Sequence, residues 1–97
     1  MGNYAVFLEG KNFELSRGGG KELFGFFVTV RVETHSEREA EISATNHVKS
    51  DPQLADAFKE NASVTPEIEV KVVHLLLPEN KMKNTEFEFF PMGEYDF

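Results

Sequence analysis

From Phe24 to Glu33 the side chains alternate without a break. Phe24, Phe26, Val28, Val30 and Val32 fall on one side of an extended chain, and Gly25, Phe27, Thr29, Arg31 and Glu33 on the other. A period of two over ten residues demands a β-strand, because a helix would scatter the same side chains around its axis. The alternation predicts a strand over Leu23–Thr34 with one wholly apolar face, which must be covered, and one mixed face. Its aromatic and β-branched content fits a pleated, half-buried surface.

The rest of the chain supplies partners for that strand. Tyr4-Ala5-Val6-Phe7-Leu8 reads as another strand, bounded by Glu9 and Gly10. Residues Lys11 to Leu15 alternate again, either continuing this strand past a bend at Gly10 or returning as its hairpin partner. Ser16 to Lys21, with Gly18-Gly19-Gly20, is a turn. Ser36 and Glu39 have the spacing of a capping box. Ala40, Ala44 and Val48 then recur every four residues, a narrow small-residue stripe suited to lying on a sheet, with Ile42 and Thr45 widening it. Glu37, Glu39 and Glu41 suit the positive end of the helix dipole. Asp51-Pro52 starts a short second helix whose apolar side is Leu54, Ala55 and Phe58. Glu67 to Leu77 is a further strand. Unbroken alternation there places Ile68, Val70, Val72, His74 and Leu76 on one face, and Lys71, Val73, Leu75 and Leu77 on the other. Pro78 to Lys81 turns the chain, and Glu86-Phe87-Glu88-Phe89 alternates before Phe90-Pro91 ends it.

This order predicts an α+β domain: a small antiparallel or mixed sheet of about four strands, with one main helix and a short second helix packed on one face. Two topologies fit. Strands 23–34 and 67–77 are either parallel neighbours joined through the helix, or separated by another strand as in half of a ferredoxin-like fold. A chain of 97 residues gives one domain, 1–97.

Composition narrows the function classes. The chain has no cysteine, which excludes disulfides, thiolate zinc sites and a cysteine nucleophile and suits a reducing compartment. No apolar run approaches the ~20 residues of a membrane span. The first residues lack the charged and apolar regions of a signal peptide, and Val6 stands where a myristoylation signal needs Ser or Thr. A cytoplasmic location is expected. The net charge is −7, concentrated in the middle third of the chain. Direct nucleic-acid binding is not expected, since phosphates are held by Lys and Arg.

Motifs of chemistry are weak. Gly20-Lys21 lacks the phosphate-loop pattern, because Leu15 and Glu22 occupy the positions that need Gly and Ser or Thr. His35, His47 and His74 have no metal-ligand spacing, so no metal or cofactor is expected. No serine carries a nucleophile signature. The expectation is a protein without enzymatic activity. The feature with most content is the mixed sheet face, formed by Phe27, Thr29, Arg31, Val73, Leu75 and Leu77, with Phe7 beside them. Apolar patches among charges mark interfaces. The bland alternative is that residues Phe87 to Phe90, or the tail, fold over this face as extra core. The leading functional expectation is therefore an interaction module, binding a protein partner or a second copy through this face, rimmed by acidic helix groups. Two others stand beside it. One is a small-ligand binder or minor enzyme with a helix–sheet cleft containing His74 and a carboxylate. The other is an acidic inhibitor or nucleic-acid mimic using Glu37, Glu41, Asp51, Asp56 and Glu60.

The run Phe24-Gly25-Phe26-Phe27-Val28-Thr29, then Val32-Glu33 and Ser36-Glu37-Arg38-Glu39-Ala40-Glu41, resembles a group of small bacterial proteins of no known activity. The resemblance covers residues 23–54. It implies a bacterial or phage origin and an α+β fold, and brings no site residues.

Overall fold

In a computed structural model, residues 2–17, 20–54 and 65–91 are described. Two long strands dominate, β1 (Gly2–Arg17) and β2 (Gly20–Thr34), joined as an antiparallel hairpin. The helix α1 (Glu37–Lys49) follows, then β3 (Glu67–Leu76) and the short β4 (Glu88–Pro91). The sheet order is β3-β1-β2-β4, and every neighbouring pair is antiparallel. Thus β1 lies between β2 and β3, which the helix connects, and the second of the two expected topologies is the one formed. Among the described residues, no helix is long and apolar enough to cross a membrane.

The segment after Gly10 continues β1 and does not turn back. Gly10 pairs with Phe26 but Phe13 pairs with Phe24, so β1 carries one extra residue, with Asn12 at a φ of 61°. Asparagine tolerates this left-handed conformation better than most residues, which suits it to a bulge. The bulge changes the phase of the alternation. Val6 and Leu8 face the helix before it, and Phe13 faces the helix after it. Gly10 is required here for space: a Cβ would come within 2.0 Å of the Phe26 ring. The ring lies across the glycine and fills its missing side chain.

The helix begins as the capping box predicts in one direction, with Ser36 Oγ accepting from the Glu39 backbone N–H at 3.1 Å. The Glu39 carboxylate instead accepts from the Thr34 hydroxyl at 3.2 Å, tying the cap to the end of β2. Ala40, Ala44 and Val48 are fully buried on the sheet. Ile42, expected to widen this stripe, is 53% exposed. It lies two residues from Ala40 and Ala44, about 200° around a helix, so a helix resting on small residues leaves it outside. The short second helix reduces, among the described residues, to a 3-10 turn over 52–54. Asp51 Oδ1 accepts from the Gln53 N–H at 2.9 Å, and Leu54 is buried. Ala55 and Phe58 lie outside the described residues.

The core joins Val6, Leu8, Phe26, Val28 and Val30 of the sheet to the helix stripe and Leu54. Phe26 sits at the centre of an aromatic cluster. Its ring meets Phe13 and Phe87 edge-on, each at 5.0 Å, and Phe89 at 6.0 Å.

Candidate functional site

The sheet face turned away from α1 carries Asn3, Ala5, Phe7 and Glu9 of β1, as the partners of Glu33, Arg31, Thr29 and Phe27 of β2. Three phenylalanines cross it in a row. Phe7 and Phe27 stack with centroids 5.7 Å apart and planes within 6°, and Phe90 of β4 leans on Phe27 at 5.3 Å. Offset stacks of this kind add to what burial alone contributes. Phe90 has room because Gly25 lies under it, where a Cβ would approach its Cζ to 2.3 Å. Val72 of β3 pairs with Phe7 and is 53% exposed. All three rings are half-buried.

The segment from Phe87 to Phe90 does not cover this face. It extends the sheet as β4 on the free edge of β2, with Phe87 and Phe89 turned to the core and Phe90 to the open side. Asn84 and Thr85 prolong the same edge. Asn84 Oδ1 accepts from the Arg31 N–H at 2.7 Å, Thr85 Oγ1 accepts from the Thr29 N–H at 2.8 Å, and the Thr85 N–H donates to the Thr29 carbonyl at 3.0 Å. The tail, 92–97, lies outside the described residues.

Of the residues expected on this face, Phe27, Thr29 and Arg31 are there. Val73 and Leu75 are not. Phe7 pairs with Val72, whereas Leu8 pairs with Val70, so Lys71 is an extra residue and the alternation reverses at it. Val73 therefore pairs with Val6 and packs against the core, and Leu75 pairs with Tyr4 on the helix side. Leu77 lies beyond the end of β3, and its carbonyl accepts from the Asn3 side-chain amide. In their place the bulge brings Val72, His74 and Leu76 to the open face. No glycine marks this bulge. The one signal in the sequence is the apolar doublet Val72-Val73, where strict alternation would already fail.

Charges surround the aromatic row. Lys71 Nζ reaches Glu69 at 3.1 Å and Glu9 at 3.2 Å, and these two carboxylates hold its pKa above the ordinary lysine value of 10.5, Glu69 most strongly. Phe27 lies directly between Glu9 and Glu88 on its neighbouring strands. Arg31 Nη1 meets Glu33 Oε1 and Asn3 Oδ1, both at 3.3 Å. Asn3 is only 6% exposed and donates to the carbonyls of Leu77 and Asn80, at 3.1 and 2.9 Å. It pins the connection out of β3 against this end of the face, and Arg31 holds it in place. The rim is therefore made of strand carboxylates, with the acidic helix on the opposite side of the sheet. That replaces the helix rim expected from sequence.

A cleft between helix and sheet does exist, of about 420 Å³, lined by His47, Asp51, Gln53, Glu86 and Phe87 among others. His74 takes no part in it and is exposed beside Ala5. Among the described residues, no group of three His, Asp or Glu side chains is placed to hold a metal ion. Of the proposed acidic row, Asp56 and Glu60 lie outside the described residues. No protein-family model, curated protein or solved structure matches the chain.

Proposed function

We propose that this chain is a protein-interaction module without enzymatic activity, docking a partner surface that is apolar at its centre and basic at its edge. The observation that supports this is the row Phe7, Phe27 and Phe90, with Val72 alongside, half-exposed on a sheet face on which no described element lies as a second layer. Aromatic side chains at the centre of a patch are the usual anchors of binding energy. The rim chooses the partner's charge. Arg31 and Lys71 are already engaged by Glu33, Glu9 and Glu69, while Glu88 stands beside Phe27 with no ion pair among the described residues. A surplus of carboxylates attracts Lys and Arg and repels phosphates. We place the module in the cytoplasm, where a cysteine-free chain is at no disadvantage.

The test is selection from a displayed random-peptide library on the immobilised chain. Enriched peptides should combine aromatic or branched residues with Arg or Lys, bind more weakly as salt is raised, and lose binding to Phe27→Asp. A library that enriches nothing, or peptides indifferent to Phe27→Asp, would overturn the reading.

A further inference from the structure

Four large apolar side chains are strongly exposed among the described residues, and three of them are close along the chain, on the two sides of one sheet edge: Val72, Leu75 and Leu77, at 53%, 63% and 67%. Val72 and Leu75 belong to the end of β3 and Leu77 follows it; β3 is the last strand of the sheet on its side, and none of the described residues pairs with its outer edge. An open strand edge is a template for another strand, and proteins normally blunt it with charges, lysine, proline or a bulge. Here the blunting is confined to one half of the strand. Glu67, Glu69, Lys71 and the bulge at Lys71 protect the first half. The second half, Val72-Val73-His74-Leu75-Leu76, has no acidic, lysine or arginine residue.

That second half is complementary to itself. Antiparallel pairing of two copies centred on His74 sets Val72 against Leu76 and Val73 against Leu75, with the two His74 residues face to face. Apolar meets apolar on both sides of the sheet, and all five residues lie within β3. Centring one residue earlier sets Lys71 against Leu75 and Val72 against His74. Centring one later sets Val73 against Leu77, which has left the strand. We infer that this edge joins two copies of the chain, with the two-fold axis at His74 and perpendicular to the sheet. The result is a continuous eight-stranded sheet with both helices on one side. The two aromatic rows then share a single open face, so a partner with repeated docking segments meets two sites at once. A ladder of five residues a side is short, and the dimer is a weak, concentration-dependent one.

The chain has no cysteine, which makes the axis directly testable. His74→Cys places two thiols at the axis, within disulfide reach of one another in an antiparallel pair. Ser43→Cys, on the exposed side of α1, is the control. Mild oxidation should convert His74→Cys to a disulfide dimer much faster than Ser43→Cys. Sedimentation of the unmodified chain should show monomer and dimer in exchange. Leu75→Lys should weaken association by about tenfold or more, with its circular dichroism unchanged, and Phe27→Asp should leave it intact. A chain that is monomeric at every concentration, equal cross-linking of the two cysteine variants, or a dimer dissolved by Phe27→Asp and not by Leu75→Lys would overturn the edge assignment. The first two results would leave the docking face untouched.

Discussion

The two faces of the sheet carry phenylalanines on adjacent positions of the same strand, yet Phe26 and Phe27 have different fates. Phe26 is fully buried among Phe13, Phe87 and Phe89, over a glycine that makes room for it. Phe27 stacks between Phe7 and Phe90 and stays partly in water. Burying a phenylalanine removes a large apolar area from water, while a half-exposed row keeps part of that energy in reserve for a partner. The helix explains the difference. One layer resting on Ala40, Ala44 and Val48 covers one side of the sheet, and among the described residues the other side carries only the strands' own side chains.

The glycines give the strongest way to break the contrast. Gly10→Ala drives a methyl group into the Phe26 ring, in a core that cannot yield, and should cost about 2–3 kcal/mol in urea unfolding. Gly25→Ala meets the Phe90 ring, which can swing outward, and the Gly10 carbonyl oxygen at 2.9 Å, which must give by a few tenths of an ångström, and should cost about 1–2 kcal/mol. A loss larger than that of Gly10→Ala would mean the Phe90 ring is held as rigidly as the core. Next comes Asn3→Ala, which removes the buried side chain shared by the Leu77 and Asn80 carbonyls and Arg31, while Leu77 keeps the Asn80 N–H and Arg31 keeps Glu33. It should cost about 2 kcal/mol and raise amide exchange in residues 77–80. An unchanged exchange pattern would show that the connection is held by something else.

The smallest effect is a pH dependence at Lys71. Its pKa is raised in the folded chain, by Glu69 first and Glu9 second. The stability it contributes is therefore fully present below the ordinary lysine value of 10.5 and is lost as pH rises through the raised value. Stability differences between the chain and Lys71→Met should hence shrink only in strongly alkaline solution, and a difference that vanished near neutral pH would contradict the ion pairs.

Much of the sealed face was legible in the sequence because it depends on local rules. Alternation placed Phe24, Phe26, Val28 and Val30, the four-residue recurrence placed Ala40, Ala44 and Val48, and Ser36 marked the helix start. The open face was half legible. Phe27, Thr29 and Arg31 follow from the same alternation as Phe26. The β3 contribution does not, because a bulge at Lys71 is a decision of register between β1 and β3, and the apolar doublet Val72-Val73 alone does not say where the extra residue falls. A one-residue slip moves every later side chain to the other face, and so Val73 and Leu75 exchanged places with Val72 and His74. The order of strands is equally non-local: whether β1 separates β2 from β3 depends on which edge of the hairpin β3 meets.

Paired denaturation of Phe26→Ala and Phe27→Ala tests the two-face account most directly. With one face sealed and the other open, Phe26→Ala should lose about 3–5 kcal/mol and Phe27→Ala about 2 kcal/mol, from its ring contacts and the part of its surface that is buried. Losses of the same size would contradict it, because Phe27 would then be core and no docking face would exist.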